Sequence, residues 1–118
     1  MKANELRLGN LVDLGNRIAK ITEIYPLACM VADLEQTQDT LESYERVTGI
    51  PLTEEWLLKF GFVINTKDLN FWNHKICIHA LDNKFYVLQE QGRVYLDYIH
   101  QLQNLYWCLC GEELIIKE

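Results

Sequence analysis

Two groups of residues in this 118-residue chain have types and spacings that could support chemistry. Asp97 and His100 stand three apart, one turn on a helix, and Cys77 and His79 alternate, which places both on one face of a strand. A thiol beside an imidazole oriented by a carboxylate is the minimum of a thiolate nucleophile. Adding His74 gives a nitrogen and sulfur set of the kind that holds zinc. The spacings favour neither reading. There is no C-x-x-C or H-x-x-x-H, and Cys108 and Cys110, two apart on a helix, diverge by about 200°. Cysteine also packs simply as a small apolar side chain. Phosphate-cradling glycine loops, a G-x-S-x-G elbow and H-E-x-x-H are all missing. No catalytic residue, metal or cofactor is assigned on this basis, and a small hydrolase or metal-binding protein is kept only as an alternative.

Binding chemistry is better represented. His100, Gln103, Asn104 and Trp107 recur at i, i+3, i+4 and i+7, one uncharged stripe rich in hydrogen-bonding groups. No Asp, Glu, Lys or Arg occurs from Tyr98 to Gly111, in a chain with 24% charged residues. Interface centres are depleted in charge and enriched in aromatics, so the stripe fits a partner. The same depletion fits better a surface packed internally against the N-terminal strands. A second candidate is the acidic series Asp33, Glu35, Asp39, Glu42 and Glu45, which has no Lys or Arg within it. Such a run solvates a strand edge and discourages aggregation. It would also dock a basic partner, or mimic nucleic-acid phosphates to block a DNA-binding protein.

The whole chain sets limits on these readings. A formal net charge of −6 argues against direct nucleic-acid binding through a broad basic surface, leaving room for a small local patch. No apolar run approaches the roughly 20 residues needed to span a bilayer, and Met1 to Glu5 lacks the apolar core of a signal peptide. The expectation is a cytoplasmic protein without disulfides or membrane contact. A protein partner is expected but not identified, and the oligomeric state is open.

The elements that must position these residues follow in order. Residues 8–13, 17–24, 27–32 and 40–47 read as short strands joined by tight turns, a small bent antiparallel sheet resembling an SH3-like barrel. Thr53 to Gly61 has the clearest local grammar. Thr53 caps, Glu54 and Glu55 occupy the first turn, Lys59 the last, and Gly61 permits a Schellman ending with Phe62 folded onto Leu57. Residues 62–64, 75–80, 84–88 and 93–96 read as further strands, with a left-handed turn at Leu81-Asp82-Asn83. Asp97 is the expected cap of a long helix whose apolar arc is Ile99, Leu102, Leu105, Tyr106 and Leu109, ended by Gly111. Residues 113–117 would add a last strand. The class is α+β: one domain over 1–118, with a barrel-like half (1–50) and a helix-sheet-helix half (51–118).

Three blocks carry a resemblance: Lys2-Ala3-Asn4-Glu5-Leu6-Arg7-Leu8-Gly9-Asn10, the stretch from Ile50 to Phe62, and His100-Gln101-Leu102-Gln103-Asn104-Leu105-Tyr106 with Gly111-Glu112-Glu113-Leu114. Together they resemble a group of small uncharacterised proteins of anaerobic gut bacteria and their prophages or mobile elements. The resemblance spans most of the chain but implies no activity, cofactor or catalytic residue. Where those proteins tend to read Phe-Ala-Leu-Thr-Gly, this chain has Trp107-Cys108-Leu109-Cys110-Gly111, which weakens the cysteines as a required metal site. The functional expectation is a non-enzymatic protein-interaction module of phage or mobile-element origin.

Overall fold

In the computed structural model, which describes residues 1, 3–34, 39–73 and 75–117, the chain is α+β, with two antiparallel sheets and two α-helices. The first sheet is a meander of β1 (Leu11–Asp13), β2 (Ile18–Ile24), β3 (Ala28–Asp33) and β4 (Asp39–Ser43) in sequence order. Strand alternation sends Val12, Ala19, Ile21, Cys29 and Val31 to one side, where they meet Leu6, Leu14 and Val47 in a closed apolar cluster. Leu11, one residue away, points to the opposite side and joins a second cluster. β1 is therefore shared by both cores.

β4 is shorter than its sequence pattern implies. Ser43 Oγ accepts a hydrogen bond from Glu45 N at 3.3 Å and caps a 3-10 turn, Tyr44–Arg46, so the strand stops before Val47. The chain then returns to β1, where Asp13 and Thr48 exchange two backbone hydrogen bonds of 2.9 Å each. The sheet is open. Its approach to closure is this single bridge and a register shift between Ile21 and Glu23, rather than the continuous ladder of the expected barrel.

Helix α1 (Glu54–Lys59) follows its sequence grammar closely. Thr53 Oγ1 accepts from Trp56 N at 3.4 Å. At the other end Gly61 adopts φ +89°, with Phe62 N bonded to Leu57 O and Gly61 N to Leu58 O, both at 3.0 Å, the paired bonds of a Schellman ending. Leu57, Phe60 and Phe62 are buried in the second core. That core lies under the second sheet: β5 (Val63–Ile64), β6 (Phe71–Trp72), β7 (Cys77–Leu81), β8 (Lys84–Gln89) and β9 (Gly92–Leu96), again a meander. Phe71, Ile78, Val87 and Leu96 face helix α2 (Ile99–Cys110), which contributes Ile99, Leu102 and Tyr106. Asp82 and Asn83 both take positive φ, 52° and 64°, so the β7–β8 turn is of the left-handed hairpin kind anticipated.

Three further expectations are corrected. The cap of α2 is Tyr98, not Asp97: Leu52 N bonds Asp97 O and Ile99 N bonds Ile50 O, holding this stretch extended. The Gln101 side chain reaches back to accept from Asp97 N at 2.8 Å and Tyr98 N at 3.0 Å, which leaves the Asp97 carboxylate no capping role. Leu109 is 52% exposed, so the buried arc of α2 is narrower than its periodicity implied. Residues 113–117 form no strand: their backbone meets the end of α1, with Lys117 N donating to Lys59 O at 2.6 Å. Finally, β6 was not expected. Two residues are too few to show an alternation. No helix among the described residues is long and apolar enough to cross a membrane.

Candidate interaction site

The uncharged stripe of α2 is mostly turned inward. His100 and Gln103 are buried, Asn104 is half-buried, and Trp107 alone is exposed. Gln103 spends its amide on the N-terminal segment. Its Oε1 accepts from Leu11 N at 2.8 Å and its Nε2 donates to Gly9 O at 3.2 Å. Asn10, also buried, donates to Asn104 Oδ1 at 2.8 Å and accepts from Arg7 N at 2.7 Å. Asn104 in turn donates to the Glu5 carbonyl at 3.2 Å. An amide network thus joins α2 to residues 5–11. Sequence reasoning missed Asn10, whose one signal was a polar residue directly before the apolar pair Leu11-Val12.

His100 differs from its neighbours on the stripe. Its ring stacks on Tyr98 at 5.7 Å, beneath Gly49, where a Cβ would lie 2.7 Å from the Tyr98 ring. Its Nδ1 is buried without a hydrogen-bond partner among the described residues. Burial lowers its pKa below the ordinary imidazole value, with Glu5 acting in the opposite direction. Cys77 and His79 lie on the far side of the sheet, since Ile78 between them points into the core with Leu102. Asp97 and His100 are therefore not joined to this pair, although Cys77 Sγ lies 3.9 Å from His79 Nε2 and Asn70 Nδ2 3.0 Å from His79 Nδ1. Burial and then the Asp68 charge raise the Cys77 thiol pKa, which opposes the thiolate form. Among the described residues no group of three or more His, Cys, Asp or Glu is placed to hold a metal ion, and His74 lies outside them.

The acidic series divides. Asp33 and Glu42 turn toward Arg17, at 2.5 Å and 3.5 Å, and Arg46 adds a contact of 3.8 Å to Glu42. Arg17 lies outside the series in sequence but beside it in the sheet. Asp39 and Glu45 stay exposed, Asp39 accepting from Thr22 Oγ1 at 3.2 Å, and Glu35 lies outside the described residues. The outward face of the same sheet is more informative. Register pairs Glu23 with Met30 and Met30 with Leu41. Around them Tyr25, Pro26, Leu27 and Ala28 complete an open apolar concavity of about 540 Å³. Leu27 is 87% exposed and Leu41 63%, so the aliphatic centre of this face is uncovered. Asp39, two residues before Leu41 on β4, and Glu23, bonded to the Tyr25 hydroxyl, set carboxylates at its margin.

A second cleft, about 440 Å³, lies where the two halves meet, beside Gln103, with Leu8, Leu34, Ile115 and Ile116 on its walls and Lys20 and Glu113 at hand. Its polar floor is already satisfied by the Gln103 bonds. The outward concavity of the first sheet, by contrast, is lined by apolar side chains, and Leu27 and Leu41 among them are largely exposed. Searches of family models, curated proteins and solved structures found no match to this chain.

Proposed function

We propose that this chain is a non-enzymatic protein-interaction module, of the phage or mobile-element kind its sequence resembles. In this reading the outward face of the first sheet receives a basic partner segment with one or two large apolar side chains. The observation that carries it is the concavity at Leu27, Met30 and Leu41, apolar at its centre and bordered by Glu23 and Asp39. An uncovered aliphatic centre inside a charged rim is how interfaces divide the work of affinity and orientation. The Ile21/Glu23 register shift, the 3-10 turn and the Asp13–Thr48 bridge support assigning this half to the SH3-like small barrels. Phosphate mimicry is the weaker reading, because Arg17 already neutralises Asp33 and Glu42.

Peptide display against the purified chain tests the proposal. Selected peptides should be rich in Lys and Arg around an apolar anchor, and should lose binding to a folded Leu27→Ser/Leu41→Ser variant. Asp39→Asn should weaken binding chiefly at low salt. Selected peptides that bind the double variant as well as wild type would remove this face from consideration.

A further inference from the structure

We propose that the outward face of the second sheet is a stacking platform for single-stranded nucleic acid. This site is independent of the first sheet and of the reading given above. Its centre is a row of rings across three strands in register: His79 on β7, Tyr86 on β8 and Tyr95 on β9. His79 lies flat against Tyr86, centroids 5.1 Å apart at 14°, and Tyr86 meets Tyr95 at 5.6 Å. Tyr86 is nearly buried yet belongs to neither apolar core, because its own row and the Arg93 guanidinium, 4.7 Å above its ring, cover it. Lys84 Nζ stands 5.8 Å from the Tyr95 ring. Trp72, on the same face of β6, is 43% exposed and Tyr95 45%, which leaves two large π-surfaces open to solvent. At about 4.8 Å per strand they stand roughly 14 Å apart across the sheet, room for more than one base.

Charge selects the occupant. The chain carries an excess of six acidic residues, yet no outward strand position of this face holds a carboxylate, while two hold Lys84 and Arg93. Asp68, Asp82, Glu90 and Asp97 are confined to turns and strand ends. Exposed rings that accept any base, flanked by cations for the phosphates between them, are what sequence-tolerant single-strand binding requires. A duplex keeps its bases stacked inside and would gain from the two cations alone.

Fluorescence anisotropy of labelled oligothymidine and oligouridine with the full chain, at low salt, tests this. Binding is expected for both, with a log–log salt slope of about −1.4 for two phosphate contacts. Tyr95→Ala and Trp72→Ala should each weaken it about five-fold or more, and Lys84→Glu/Arg93→Glu should abolish it. Tyr95→Leu keeps the apolar bulk and removes the π-face. A folded Tyr95→Leu chain of unchanged affinity would overturn the proposal, as would absent binding or equal affinity for duplex of the same length. A dimer seen by sedimentation that dissociates in Tyr95→Ala and excludes oligonucleotide would also overturn it, assigning the face to a second copy.

Discussion

At the scale of single residues, His100 and Gln103 show opposite ways of burying polarity. Gln103 is satisfied, and Gln103→Ala would strand Leu11 N and Gly9 O, at a cost of about 1–3 kcal/mol, measurable as a lower urea midpoint. His100 is kept neutral by burial, so its pKa in the folded chain lies below the value near 6.5 of the unfolded one. The unfolded state then binds the proton more readily. His100's contribution to stability is full above about pH 6.5 and is lost as pH falls through that value toward the folded pKa. The urea midpoint should drop further between pH 7.5 and 5.5 in wild type than in His100→Phe, which keeps the ring against Tyr98 and removes the unbonded nitrogen. Equal drops in the two proteins would show that His100 does not carry the effect. The missing charge on α2 was legible in the sequence as a sign of coverage. Its partners were not, because Asn10 and Leu11 lie more than ninety residues away along the chain. For the same reason the Arg17 contacts to Asp33 and Glu42 depend on strand register, which the composition of the acidic run does not contain.

Among the elements, α1 was the most legible, since its signals are local: a cap, a dipole-compatible charge order and a left-handed stop. At six residues it is too short to persist alone, so both caps should matter to the whole fold. Thr53→Ala should cost about 1 kcal/mol. Gly61→Ala should cost about 1–2 kcal/mol, from its φ of +89°, with Lys117 Cγ 2.8 Å from the added methyl forced to move. The caps sit at opposite ends of the helix, so the double variant should approach the sum of the two, checked by chemical denaturation. Elements specified by distant partners were less legible. β6 exists because β5 and β7 flank it, residues 113–117 lie against the end of α1 and not in a sheet, and α2 starts at Tyr98 because residues 50–52 bind its entrance.

For the whole molecule, the described residues form two apolar clusters, and β1, whose residues face both ways, lies at the seam between them together with the amide network of α2. Trp56, Trp72 and Trp107 all belong to the second half, so tryptophan fluorescence reports on that side while far-UV circular dichroism reports on both. The two signals should trace one coincident unfolding transition. Leu11→Ala, which opens a hole at the seam, should lower stability by about 2–4 kcal/mol with both signals moving together. Separate transitions would mean that the halves melt independently. The Gln103 amide adds a consequence for behaviour in solution. By accepting from Leu11 N and donating to Gly9 O, it imitates the peptide group of a neighbouring strand on the flank of β1 that β2 does not cover. A helix side chain thus occupies the hydrogen-bonding positions that another molecule's backbone would otherwise use. Loss of that amide should appear not only as a lower melting point but as turbidity that rises with protein concentration, because the released strand becomes a template for its own kind.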